Sequence, residues 1–277
     1  MAISFLQNIP ADTVRRHLSK ITDEVGRTYE RIASGKRINH SSDDAAGLTI
    51  AESLEGRIRS MGQAKRNALD AMSMVQVAEG GMNEVGNILI RMRELAIQSA
   101  SDSVGSRERH YLSLETEQLK SELTRLANAT RFFDTDLLNG KGRNFTFQIG
   151  PDDNEHNRIS YDASKINLTA EALNVDSVDL TEQDEARDSL QYIDQALYKL
   201  GEPRAELGAI QSRVQSITQQ LSIGEETLTA AKSRIMDADL AEETTELVRQ
   251  QILQRAAVAA LSQANSMPQQ ALRLLEF

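Results

Sequence analysis

His17, His40, His110 and His156 are the first residues to test for chemistry, because imidazole most readily moves protons or binds a metal near neutral pH. They are scattered along the chain without the close spacing of a metal centre. Asp152, Asp153 and Glu155 beside His156 read as a solvated turn. DTDLLNG at 134–140 has some of the alternating oxygens of a calcium loop, but Leu138 falls on a ligand position and the glycine comes late. GKGRNF at 140–145 is a loop with two glycines, and no HExxH, GxSxG, P-loop or dinucleotide fingerprint occurs. The sequence therefore predicts a non-enzyme with no cofactor and no metal. What chemistry it has must lie in packing.

Composition narrows the kind of packing. With 4% aromatics and no Trp among 277 residues, a thick globular core is not expected. The apolar share is mostly Ala, Leu, Ile, Val and Met, which suits helices meeting along narrow seams. Absence of Cys excludes a disulfide framework and thiolate metal sites. A net charge of −10 argues against general nucleic-acid binding. Apolar runs such as AAVAAL at 256–261 are too short to cross a bilayer, so no membrane insertion is expected. No Sec-type signal is visible at the N-terminus.

The elements follow from periodicity. Met61, Ala68, Val75, Met82 and Leu89, with Ala64, Ala71, Ala78, Val85, Met92 and Ala96 between them, alternate three and four residues apart, which predicts a heptad seam on a long helix. Gly80–Gly81 should be a soft spot in that helix, without breaking it. A second seam runs through Ala186, Ile193, Leu200, Leu207, Val214, Leu221, Leu228 and Ile235 at an interval of seven. Pro203, beside Gly201, predicts a bend near 200–204. A third helix is expected at about 106–129. Between these lies a β signal: RNFTFQIG alternates Phe145, Phe147 and Ile149, and RISYD offers Ile159 and Tyr161, as in a hairpin with a longer loop.

The two ends form another pair. Val14, Leu18, Ile21, Val25, Thr28 and Ile32 make one stripe, and Leu240, Leu247, Val258 and Leu261 make another, interrupted by Gln251 and Gln254. Residues 1–40 are net basic and 236–277 net acidic, which favours their pairing. Neither end can bury its stripe alone. Between the first two helices, ERIASGKRINHSSDDAAGLTIAE at 30–52 reads as a connection. Gly35 should close one helix in a left-handed conformation. Ser41 or Ser42 should cap the next, with Asp43 and Asp44 in its first turn. The expected fold class is mainly α: a long antiparallel helical coiled-coil rod with a terminal helix-pair domain and a small β-hairpin.

These residues carry a resemblance. The stretch ERIASGKRINHSSDDAAGLTIAE closely resembles the flagellin signature, and QAKRNALDAMSMVQVAEGGMNEV and RMRELAIQSA are similar to that family's first long helix. LGAIQSRVQS and the run from SRIMDADLAEE to LSQANSMPQQALRLLEF are similar to its C-terminal region. Matching segments cover about 30–140 and 186–277. MAISFLQNIPAD, with Pro10, departs from the family's usual start, Pro203 is unusual, and the variable outer domains are missing.

The resemblance implies a structural subunit that self-assembles into the bacterial flagellar filament for motility. Residues 1–42 and 236–277 would form a terminal coiled-coil inner-tube domain with its spoke, in which Gly35, Arg37, Asp43 and Asp44 lie. Residues 43–139 and 183–235 would form an outer helical rod, and 140–182 a short hairpin segment. Implied partners are further copies of the chain, an export chaperone, the filament cap and hook-junction proteins. The implied location is extracellular, in the flagellum, after type III export without a cleaved signal peptide. Arg91, Leu95 and Glu115 match positions that a mammalian innate immune receptor grips in some flagellins, although Ile90 stands where the recognised versions have Gln. The alternatives are a hook–filament junction protein or a non-polymerising coiled-coil adaptor.

Overall fold

The computed structural model describes the backbone of residues 8–275 and the side chains of 8–267. The departure from the family start therefore lies outside the described residues for MAISFLQ. Among the described residues the order is α1 (Ile9–Ser34), α2 (Ala45–Ser99), α3 (Ser106–Ala129), β1 (Arg131–Phe132), β2 (Thr135–Asp136), β3 (Asn144–Gln148), β4 (Arg158–Asp162), α4 (Gln183–Met236) and α5 (Leu240–Leu275). The chain divides into two compact units, one made of residues up to Gly56 and from Thr227 onward, the other of Arg57–Glu226.

In the first unit α1 packs along α5. Asn8 caps α1 through its side-chain oxygen, which accepts from the Ala11 amide at 3.2 Å. Pro10 then falls in the first helical turn, where a missing N–H costs nothing. The α1 stripe faces its partner: Ala11, Val25 and Thr28 are buried, and Val14, Leu18, Ile21 and Ile32 are half-buried. The register of α5 differs from heptad counting on its large apolar residues. Leu247 and Leu261 are half-buried, but Leu240 and Val258 are 51% and 52% exposed and do not lie in the seam. The positions that face α1 are Glu243, Leu247, Gln250, Gln254, Ala257, Leu261 and Ala264, again three and four apart.

Glutamine belongs in this seam because each polar group there finds a partner. The Thr28 hydroxyl donates to Gln250 at 3.1 Å, in a buried position. The Gln251 amide donates to the Tyr29 hydroxyl at 2.9 Å, and Gln254 to Thr22 at 3.3 Å. The Asn8 amide donates to the Ala264 carbonyl at 2.8 Å. From Thr28–Gln250 through Thr22–Gln254 to Asn8–Ala264 the numbers fall on α1 as they rise on α5, so the helices are antiparallel.

The second unit is built on α2, α3 and α4. Its core runs through Met74, Met82, Leu89 and Met92 of α2, Leu123 of α3 and Ile193 and Leu200 of α4. Full burial of such a side chain is worth about 1.5–3 kcal/mol. α2 runs unbroken through Gly80–Gly81, as expected, and Gly81 also has a packing role. A Cβ there would stand 2.6 Å from Thr130 Oγ1 and 2.7 Å from Leu138 Cδ1, so the glycine lets the segment after α3 lie against α2. At Pro203, where a bend was expected, α4 continues unbroken.

Phe145 pairs with Tyr161 and Phe147 with Ile159 across the antiparallel β3–β4 hairpin, whose inner face completes the core. A second hairpin, β1–β2, pairs Arg131 with Asp136 and Phe132 with Thr135. It was not foreseen, since two-residue strands carry no alternation to read. The return segment to α4 is held by a buried cation. Lys120 Nζ donates to the carbonyls of Val178 at 2.6 Å and Asp176 at 3.1 Å, and to Glu117 at 2.7 Å. Ser99 reinforces it by donating to the Leu180 carbonyl at 2.8 Å.

Candidate functional site

The candidate site is a set of surfaces and the joints that hold them. The first joint lies between α1 and α2. Gly35 takes a left-handed φ of 68° and ends α1, as its position after the stripe predicts. The chain then pairs with the α4–α5 connection: Arg37 N–H donates to the Met236 carbonyl at 2.7 Å, and Ala238 N–H to the Gly35 carbonyl at 3.0 Å. The Arg37 guanidinium adds a bond to the Ile235 carbonyl at 2.9 Å. Ile38 drops from this bridge into a small cluster with Ala51 and Met236.

The cap of α2 is not Ser41 or Ser42. Asp44 accepts from the Gly47 amide at 2.8 Å, because the helix begins at Ala45 and an N-cap side chain reaches the amide three residues on. Asp43 stands before the helix and not in its first turn. Its carboxylate accepts from the backbone amides of His40 at 3.0 Å and Asn39 at 3.1 Å. Those two bonds, the His40 one first, hold its carboxyl below the usual carboxylate range.

The second surface is the outer face of α5. Leu240, Val248, Ile252, Leu253 and Val258 are all large, apolar and exposed, with Ile252 at 62%. Together with Ala256, Ala259 and Ala260 they make a face with few charges, against which the chain's own α1 does not pack.

The rod positions lie inside the second unit. Ala68, Val75, Met82, Leu89, Ile193, Leu200, Leu207, Val214 and Leu221 are buried, and Met61 is half-buried over Gly224. Arg91 bridges α2 to α3. Its Nη2 and Nε donate to Glu115 at 2.8 and 3.0 Å, and its Nη1 to Glu94 at 3.1 Å. Glu115, then Glu94, raise the guanidinium's pKa. Leu95 is only 1% exposed, so the surface made by Arg91 and Glu115 does not include it. On a helix, 91 and 95 share a stripe, but here that stripe turns inward at the second position. Ile90, Ile97, Tyr111 and Leu114 are the exposed apolar residues of α2 and α3 in this region; periodicity singled out none of them, and Ile90 was named only through the resemblance.

Among the described residues no group of three His, Asp or Glu side chains could hold a metal ion, and no helix is long and apolar enough to cross a membrane. One buried polar atom stands out. The Tyr161 hydroxyl has no hydrogen-bond partner among the described residues, and burial, then the charge of Glu206, push its pKa well above the ordinary tyrosine range.

Two family models match the chain, the bacterial flagellin N-terminal helical region over residues 5–143 and the C-terminal helical region over 190–275. The chain belongs to the bacterial flagellin family. A flagellin of Halalkalibacterium halodurans is 37% identical over 268 residues, covering 97% of this chain and 98% of that protein. A flagellin of Bacillus subtilis is 34% identical over 300 residues with the same coverage of each chain. A flagellar filament 33 kDa core protein of Treponema phagedenis is 33% identical, again covering 97% and 98%. Among solved structures, Bacillus cereus flagellin superposes with a TM-score of 0.50 at 25% identity, over 56% of this chain and 88% of that one. A putative flagellar hook-associated protein of Vibrio parahaemolyticus shares the fold, with a TM-score of 0.59 at 15% identity over 70% of this chain and 100% of that one.

Proposed function

We propose that this flagellin is the structural subunit of a flagellar filament that serves motility, and that it assembles when further copies cover the outer face of α5. The observation that carries this reading is that face. A helix pair that leaves Leu240, Val248, Ile252, Leu253 and Val258 in water has burial left to gain. Each half-exposed side chain would contribute roughly 1 kcal/mol on being covered. Contacts of this kind, repeated head to tail without closing, make a helical array.

In the same reading, residues 1–42 and 236–277 line the inner tube, 43–139 and 183–235 form the outer rod, and 140–182 replace the variable outer domains. Export follows the flagellar type III route, with a chaperone, a filament cap and hook-junction proteins as partners, and the mature subunit lies outside the cell. The glutamine-rich α1–α5 seam suits threading, since it holds the helices together without a deep apolar core. Arg91 and Glu115 offer an innate immune receptor a charged, exposed pair, while Leu95 takes no part. A role limited to the hook–filament junction is not favoured.

Seeded polymerisation tests the reading. Ile252→Glu should leave the helical circular dichroism of the monomer intact and stop elongation, and removal of 262–277 should do the same. Filaments of normal length from either variant would refute it. Sedimentation of the unaltered chain that stopped at a dimer or trimer with rising concentration would indicate an adaptor instead.

A further inference from the structure

Phe133 bears two local costs at once. It sits in the two-residue turn between β1 and β2 with φ at 50°, a left-handed conformation that favours Gly, Asn or Asp and is an outlier for a bulky side chain. It is also 86% exposed, the ring projecting from the end of the hairpin. Among the described residues its one ring contact, with Phe132, leaves most of the side chain in water. The hairpin nevertheless presents the ring firmly. Phe132 packs against the main core and meets Phe133 edge to face at 4.7 Å, and Arg131 and Asp136 form an ion pair across the strands.

The same unit carries a recess of about 230 Å³ between α2 and α4. Its apolar wall is Ile90, Leu197 and Leu200. Gly86 and Gly201 leave it open, and a Cβ at Gly201 would meet nothing within 4 Å. Arg204 stands at its rim, hydrogen-bonded to Asn83 but without an acidic partner among the described residues. Asp134, next to Phe133, is exposed and likewise has no basic partner among them.

We infer that the Phe133 ring is a docking knob that enters the Ile90–Leu197–Leu200 recess of a second copy of this chain. The phenyl ring can lie against Ile90, Leu197 and Leu200 with Asn83 and Asn87 at the sides, a guanidinium at the rim can lie over its face, and Asp134 meets Arg204 as the charges require. Knob and recess are made by different residues, so a copy whose knob fills a neighbour's recess keeps a free recess of its own, and where the rotation does not close the contact repeats from copy to copy. This rests on the self-assembly reading and adds to it a contact separate from the α5 face. The strain then has a reason: a left-handed turn that aims an aromatic ring outward gains its return only between subunits.

Phe133→Asn and Gly201→Leu test it from both sides. Asn tolerates the turn, and Leu at 201 improves helix propensity while filling the recess. Each monomer should melt about 2–4 °C higher than the unaltered chain. Each should nevertheless raise the critical concentration for seeded elongation about tenfold or more. A critical concentration unchanged in both variants would overturn the inference while leaving self-assembly standing. Failure of the unaltered chain to elongate would overturn both. A second measurement does not depend on stability. The chain has no Cys, so copies bearing Phe133→Cys mixed with copies bearing Asn87→Cys should form disulfide-linked dimers on mild oxidation only once polymerised. Absence of that cross-link in intact mixed filaments would equally refute the docking.

Discussion

Replacing Lys120 by Met keeps the aliphatic stem and removes only the ammonium, which makes it a clean test of what holds the chain between β4 and α4. The ammonium has three acceptors, and they are not equal. The Val178 carbonyl, at 2.6 Å, belongs to a buried residue, so water cannot readily replace the lost donor. A buried acceptor left unpaired costs about 1–3 kcal/mol. Asp176 is exposed, and its carbonyl at 3.1 Å can turn to solvent. The Glu117 carboxylate is largely exposed, so that ion pair adds little. The loss should therefore be about 2 kcal/mol and fall on the Arg57–Glu226 unit. For a unit of this size that is a drop of roughly 4–8 °C in the calorimetric midpoint. Hydrogen exchange should quicken first at 175–181, while the α1–α5 pair is unchanged. If the midpoint of Lys120→Met stays within a degree of the parent and exchange at 175–181 does not change, the cation is not the clamp.

Three further outcomes follow from the joints and surfaces. Thr28→Val alone should weaken the α1–α5 pair by about 1 kcal/mol in a thermal melt, because Gln250 loses a buried partner, whereas Thr28→Val with Gln250→Leu should recover it. The carboxyl of Asp43 is depressed below its ordinary value of 3.8, so the stability it lends is present above that pH and lost as pH falls through the lower folded value. Amide exchange at 39–40 should rise in that acid window, and Asp43→Asn should abolish the rise. Ile252→Glu should separate folding from assembly, giving a normal monomer by circular dichroism and no elongation from seeds.

Much of the fold was legible because burial here follows period. The α1 stripe from Val14 to Ile32 and the seam from Ala68 to Leu221 are read directly from apolar residues spaced three and four apart, and these are the residues that touch neighbouring helices. The α5 seam was not legible in the same way. Gln250 and Gln254 occupy it because Thr28 and Thr22 satisfy them, and that satisfaction depends on the partner helix. Counting large apolar side chains therefore selected Leu240 and Val258, which face outward. Leu95 was named with Arg91 and Glu115 through the family resemblance alone, and resemblance does not say which way a side chain turns: Leu95 is buried in the core. Asp44 took the cap from the two serines because the helix starts later than its polar prelude suggested. The Lys120 clamp joins residues more than fifty positions apart, beyond the reach of any local pattern.

The paired crossings at Gly35–Arg37 and Met236–Ala238 have a consequence for inheritance and engineering. The outbound and returning strands are stitched main chain to main chain, so neither can be lengthened by itself without unpicking the other. An inserted residue at 36 would slide its amide past the Met236 oxygen, and only a compensating change near 237 could restore the match. Drift at these two distant places must travel in step.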